Sequence, residues 1–131
     1  MQHWEGNKLN ISNVFEKFIS KFPQLNDDIN TNLKENRADT NDGIYVLWGM
    51  GVMPSVIKMI EHMENNHNII TSIFDFFEEM AIGHDEELKE LLMYSTLETL
   101  GDDEERLKIS RQFMKNETKI LSGKVETFLG R

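Results

Sequence analysis

The sequence predicts an all-α protein: a single domain of about six to seven antiparallel helices, forming either a short HEAT-like α-solenoid or an irregular helical bundle. Three observations carry this. Apolar residues recur at helical spacing along nearly the whole chain, strand signals are confined to GIYVLWG (43–49), and glycine–acid pairs punctuate the second half at intervals of one helix plus its turn. At 131 residues the chain has the size of one domain, 1–131, and enough material for a real core; residues 1–8 read as a loose N-terminus.

The first helix rests on Ile11, Val14, Phe15, Phe18, Ile19 and Phe22, one continuous stripe, with Asn10 or Ser12 as its cap and Pro23 as its stop. A weaker surface helix follows, with Leu25, Ile29 and Leu33 four apart, and ENRADTNDG (35–43) reads as a loop. In YVLWGMGVMP (45–54), Asn41 or Asp42 can cap a short helix holding Ile44, Tyr45, Leu47 and Trp48, which Gly49 and Gly51 weaken. Pro54 then suits the first position of a new helix carrying Val56, Ile57, Met59, Ile60 and Met63, so the stretch reads as a helix–break–helix joint. The next helix gathers Ile69, Ile70, Ile73, Phe74, Phe76, Phe77, Met80 and Ala81 on one side, and Gly83 suits a left-handed stop. HDEELKELLMYSTLETLG (84–101) opens with three acids, which favours the positive end of a helix dipole. Its apolar residues, Leu88, Leu91, Leu92, Met93, Tyr94, Leu97 and Leu100, spread almost all round, as in a helix enclosed by others. Gly101 and DDEE repeat the stop and the acidic start. That helix carries Leu107, Ile109, Phe113 and Met114, and Asn116 can cap a last one with Ile120, Leu121, Val125, Phe128 and Leu129. Gly83 and Gly101 lie eighteen residues apart, the spacing that suggests HEAT-like pairs.

Composition excludes several classes. The chain has no cysteine, so disulfides, thiolate metal sites and cysteine nucleophiles fall away, and a reducing cytoplasm is the expected location. The opening MQHWEGNKLN lacks the basic-then-apolar order of a signal peptide. The longest apolar run, 44–57, has fourteen residues against the roughly 20 that a membrane span needs, so no membrane association is expected.

The formal charge of −9 is unevenly placed. Residues 75–105 hold twelve acids and one base, whereas 106–131 hold seven bases and two acids. Such an acidic stretch repels phosphate backbones, which argues against direct nucleic-acid binding, and it attracts a basic protein partner. The same acids also serve as an ordinary solvated face.

No motif names a reaction. Glu64-Asn-Asn-His67 has the E-x-x-H spacing of di-iron bundles but only one copy, and His3, His62 and His84 add no zinc pattern, so neither metal nor cofactor is expected. The paired acids lie on polar faces or at helix starts, where they stay ionised rather than acquiring the raised pKa of a catalytic carboxylic acid. There is no G-x-S-x-G, and Gly49-Met50-Gly51 lacks the residues of a phosphate loop. Trp48 with Met50, Met53, Met59 and Met63 reads first as core and second as an adaptable docking or homodimer face.

Residues 73–103, IFDFFEEMAIGHDEELKELLMYSTLETLGDD, resemble a family of small all-helical bacterial proteins. Their pattern is an aromatic-rich helix with EEM, an acidic turn, and an apolar helix ending in LE-x-L. The similarity extends back to Gly43 and forward through MKNETKIL. The resemblance implies a small stand-alone partner protein, in some cases an immunity protein that neutralises a secreted toxin, and it implies no catalytic residues. The expected function is therefore that of a non-catalytic, immunity- or antitoxin-like protein binding a basic toxin through Asp75, Glu78, Glu79, Asp85, Glu86, Glu87, Asp102 and Asp103. The alternative is a scaffold or adaptor holding a peptide or partner helix around Trp48.

Overall fold

The protein, seen in a computed structural model, is described over residues 8–131, so most of the expected loose N-terminus and His3 lie outside the described residues. Among the described residues the structure is an all-helical bundle of seven helices with no strand. They are α1 (Val14–Lys21), α2 (Asn26–Glu35), α3 (Ile44–Glu61), α4 (His67–Ile82), α5 (86–100), α6 (Glu104–Phe113) and α7 (Asn116–Leu129). Short 3₁₀ turns at Pro23–Leu25 and Met63–Asn65 join α1 to α2 and α3 to α4.

Local chemistry explains the starts. The Asn10 side chain accepts from the backbone N–H groups of Ser12 and Asn13, and the Asn13 side chain accepts from Asn10 N–H in return. This reciprocal box shapes the turn that leads into α1, whose cap position is Asn13 and not the expected Asn10 or Ser12. Val14, Phe18 and Phe22 bury one side of α1, and Leu25, Ile29 and Leu33 do the same for α2. At the end of α2, Arg37 takes a left-handed φ of 57° while Ala38 N–H reaches back to the Leu33 carbonyl at 2.8 Å. That is a Schellman closure with a non-glycine residue in the glycine position.

The joint at 45–54 is not a break. α3 runs continuously from Ile44 to Glu61, and its middle, Leu47–Val52, is a π-helical turn in which Met53 N–H donates to the Trp48 carbonyl five residues back. The buried pairs Leu47/Trp48 and Val52/Met53 are five residues apart. In a regular α-helix five residues advance about 500°, which would throw the second pair about 140° off the first. The wider turn absorbs the extra residue and returns both pairs to the core. It also suits Pro54, which cannot donate to the ladder and lies second in the α-helical part that follows. At 18 residues and a mean hydropathy of 1.3, α3 reaches the length and composition of a marginal membrane span. Its apolar residues are explained by burial of Trp48, Val52, Met53, Val56 and Ile60 inside the bundle.

α5 repeats the device. Its middle, Leu92–Leu97, is a second π turn, closed by Glu98 N–H on the Met93 carbonyl. Leu91/Leu92 and Thr96/Leu97 are buried five residues apart, and Tyr94 is turned outward. The apolar residues that look spread all round the helix in the sequence are thus a one-sided pattern whose phase is reset midway. The two π turns touch: Trp48 Nε1–H donates to Thr96 Oγ1 at 2.8 Å, and both side chains are fully buried.

Neither predicted glycine stop is left-handed. Gly83 is extended (φ −73°, ψ −179°) and Gly101 is helical (φ −82°, ψ −5°). The eighteen-residue pattern reflects two capped helix starts, described below. Beyond sequence neighbours, α3 packs on α5 and α6, and α7 packs on α4 and α5, so the chain folds back into a bundle. The last helix also departs from expectation. α7 buries Thr118, Ser122, Val125 and Glu126, while Ile120, Phe128 and Leu129 are exposed.

Gly51 sits where α2 crosses α3. A β-carbon there would lie 3.0 Å from Leu33 Cδ2 and 3.3 Å from Ile29 Cγ2, and the Asn32 amide donates to the Gly51 carbonyl at 3.0 Å. Gly51→Ala is expected to cost about 1–3 kcal/mol through overpacking, read as a lower urea midpoint with an unchanged slope. Arg37→Gly is expected to do the reverse. Relieving the left-handed strain at an exposed helix end should add about 0.5–1 kcal/mol, visible as a higher melting temperature.

Candidate partner-binding surface

The acids singled out in the sequence do not form one interchangeable set. Asp85 is the cap of α5: its carboxylate accepts from Glu87 N–H at 3.0 Å and Leu88 N–H at 3.3 Å. Its other oxygen accepts from Ile11 N–H at 2.8 Å, tying the N-terminal segment to the start of α5. Asp103 caps α6 through Arg106 N–H at 2.9 Å. These are the side-chain-to-backbone bonds that four unsatisfied N–H groups at a helix start invite.

Glu78 performs the same task at long range. α7 begins with no side-chain cap of its own, and Asn116, expected to cap it, is instead its first helical residue. The missing acceptor comes from α4. Glu78 accepts from Glu117 N–H at 3.0 Å, from Thr118 N–H at 2.9 Å and from the Thr118 hydroxyl at 2.8 Å. Partial burial would raise its pKa, but these bonds and the nearby Lys115 ammonium outweigh that and hold it below the usual carboxylate value.

Two more acids are paired with the basic C-terminal quarter. Asp75 meets Lys115 at 2.7 Å, a contact that raises the lysine pKa. Asp102 meets Arg131 at 2.7 Å, and the same guanidinium holds the buried Glu126 at 3.0 Å and the Glu98 carbonyl at 3.0 Å. This explains Gly101, because a β-carbon there would run into the Glu126 carboxylate and the Arg131 guanidinium. Glu86 is exposed and 3.9 Å from Lys89, too far and too wet to matter much. Glu79 is exposed and borders a shallow hollow with Lys21 and Phe76. Glu87 is exposed, and its carboxylate has no hydrogen bond or ion pair among the described residues.

Trp48 is placed in the core, not on a surface. It is 0% exposed, its indole N–H is satisfied by Thr96, and its ring meets Phe18 edge-on at 5.3 Å and Phe76 at 6.5 Å. With no exposed surface, its side chain offers a partner nothing to touch. Met53 is buried as well, whereas Met50 is exposed.

Two exposed aromatic residues are not singled out by the sequence. Tyr45 in α3 and Tyr94 in α5 are each 49% exposed. By spacing alone Tyr94 belongs to an all-round apolar helix, and only the phase shift of the π turn takes it out. Glu90, four residues before Tyr94, is exposed too. The Tyr45 hydroxyl has its pKa raised first by partial burial and then by the charges of Glu90 and Glu87, with Tyr94 adding to it, so these groups share one neighbourhood. Among the described residues no group of three or more His, Asp or Glu side chains could hold a metal ion, and Glu64 and His67 stand in different elements.

The role of Glu78 is open to direct test. A depressed folded-state pKa gives stability that is complete above the ordinary carboxylate pKa and lost as pH falls through the lower folded value. In Glu78→Gln an amide donor faces one of the N–H donors, so the variant should lose about 1–2 kcal/mol at pH 7. The gap to the parent should close as pH falls below the ordinary carboxylate value and Glu78 becomes protonated in the parent. Urea unfolding across pH 3–7 measures both.

No curated protein and no solved structure matches the chain. A family model does match, over residues 15–130, which spans α1 to the end of α7. By that match the chain belongs to the family described as Domain of unknown function (DUF7674).

Proposed function

We propose that this protein is a small, non-catalytic, cytoplasmic binding protein of the immunity or antitoxin kind, which neutralises a basic toxin of bacterial origin by covering it with exposed carboxylates. One observation supports the reading most. After Asp75, Glu78, Asp85, Asp102 and Asp103 are set aside as ion pairs and caps, Glu79, Glu86, Glu87, Glu90, Glu104 and Glu105 remain exposed in the same acidic stretch. Glu86, Glu87, Glu104 and Glu105 lie in the first turns of α5 and α6, where the helix dipole favours an acid, but carboxylates this dense also repel one another. A basic surface, such as toxins that grip phosphate must carry, would relieve that repulsion and be steered onto it rapidly. The freedom from cysteine suits a reducing compartment.

A second reading, an adaptor holding a peptide or helix, keeps one specific support. Tyr45, Met50 and Tyr94 are exposed on the two helices that carry the π turns, so the contact would lie there and not at Trp48.

Co-expression with the products of adjacent genes separates the two. On the immunity reading one such product arrests growth alone and is harmless together with this protein. Reversing Glu86, Glu87 and Glu90 to lysine should abolish protection while leaving the protein folded, with a melting temperature some degrees lower because two of the three lie at the dipole-favoured start of α5. Protection that survives the reversal removes the acidic surface from the account, and the absence of any toxic neighbour removes the immunity role.

A further inference from the structure

The last helix, α7, turns apolar side chains toward solvent. Phe128 is 81% exposed and Ile120 is 51% exposed, while Thr118, Ser122, Val125 and Glu126 fill the buried side. At 100° per residue Ile120, Lys124 and Phe128, each four apart, lie within about 80° of one another. Gly123 and Thr127 lie within about 60° of Ile120. Gly123 is the residue of this face that the fold does not explain. Glycine weakens a helix interior relative to alanine, and nothing inside the chain requires it here. Its φ is not left-handed, and a β-carbon built on it meets no atom within 4 Å. Gly51 and Gly101, by contrast, lack a side chain because a neighbour occupies the space. Bare backbone on an outward face suits the close approach of a helix from another molecule.

Charge and shape select what approaches. Glu117, Lys119 and Lys124 are exposed on α7, so both signs stand on this helix. Two molecules of charge −9 repel each other elsewhere, above all across the acidic stretch. When two α7 helices cross antiparallel near Gly123, the Glu117 end of one lies against the Lys124 end of the other, in both directions. Each positive helix N-terminus then lies nearer the other helix's negative C-terminus. Ile120 and Phe128 supply knobs, and Gly123 supplies a hole. A face that carries knob and hole, acid and base, complements itself, as a two-fold interface requires. A partner helix of one charge sign would meet a like charge on it. We propose that α7 packs antiparallel on α7 of a second copy of this chain, with the two-fold axis near Gly123.

The size of the face sets the strength of pairing. Its 14 residues make a helix about 21 Å long and about 10 Å across. A crossing of that extent falls short of the roughly 800 Å² per partner of a standard interface, so the dissociation constant should be on the order of 100 µM. The pairing uses none of Glu86, Glu87 and Glu90, so it stands or falls apart from the immunity reading.

The test is sedimentation equilibrium of the full chain from about 10 µM to about 1 mM, where monomer should pass into dimer. Phe128→Glu should weaken the pairing about tenfold or more. Gly123→Gln separates pairing from folding. In dilute solution it should raise the melting temperature, because a better helix former enters open space, and at high concentration it should abolish the dimer, because its side chain fills the crossing. The chain has no cysteine, so a spin label on Asn116→Cys stands alone. Mixed with isotope-enriched chain, the labelled chain should broaden the amide signals around Thr127 and Phe128 more than those around Glu117. Circular dichroism reports whether each variant is folded, and Gly123→Gln keeps the question answerable if Phe128→Glu is not. A chain that stays monomeric over the whole range overturns the proposal, and so does a dimer that both substitutions leave intact. Stronger broadening around Glu117 means parallel pairing and overturns the antiparallel two-fold. A monomer whose α7 signals move on addition of anionic lipid vesicles assigns the face to a membrane surface and overturns the dimer as well.

Discussion

The bond between the Trp48 indole and the Thr96 hydroxyl, 2.8 Å long and closed to water, is the constraint on which the rest of the bundle depends. A buried N–H without a partner costs about 1–3 kcal/mol, so an enclosed tryptophan must be given an acceptor. Thr96 can supply one only if α5 turns a hydroxyl inward beside Leu92 and Leu97. The π turn around it lets Leu97, five residues after Leu92, reach the core on the same side. The indole ring meanwhile meets Phe18 of α1 and Phe76 of α4, and Phe18 packs edge-on to Phe76 at 5.2 Å. One side chain thus fixes the mutual placement of four helices, and helix packing at native density leaves little room for any of them to shift alone.

The strong, regular stripes of the sequence translate directly into structure. Phe18 and Phe22, Ile29 and Leu33, and the row from Ile70 to Ala81 are buried where helical spacing puts them. The departures cluster at the two π turns, and for one reason. A stripe is inferred by assuming 100° per residue, so a segment with one extra residue per turn looks like a break or like apolarity on every side. Glycine at 49 and 51 and proline at 54 reinforce the look of a break, although the same residues ease the wide turn and let α2 come close. Tyr94 is hidden in the sequence by the same assumption. α7 differs in another way: its buried row of Thr118, Ser122, Val125 and Glu126 carries polar groups that are satisfied only by partners outside the local period, which no helical spacing can reveal.

Charge behaves in the same way. Asp85 and Asp103 are legible in part: the acidic helix starts are read from the sequence through the helix dipole, whereas the bonds by which each caps its helix come only with the structure. Glu78 is not, because its partners stand 39 and 40 residues ahead in sequence. Nor can composition show that the basic final quarter lies against the acidic stretch, where Lys115 and Arg131 reach Asp75 and Asp102. A division that looks like two opposed blocks along the chain is partly self-neutralised in space.

That self-neutralisation changes what charge alone can say about function. The net −9 still steers a distant cation, but at about 0.1 M salt such a field fades within roughly 10 Å. Recognition at close range must rest on carboxylates that folding leaves without partners, since a carboxylate already capping a helix would have to give up that bond to take another. An exchange of that kind would fray the start of α5, α6 or α7. Binding and stability would then oppose each other at Asp85, Asp103 and Glu78, whereas they are independent at Glu87 and Glu90. The half-exposed rings of Tyr45 and Tyr94 add what a carboxylate lacks in water: an apolar face that excludes solvent and is less weakened by salt. Unengaged acids and exposed rings are therefore the groups that can hold a cation after long-range attraction has been screened.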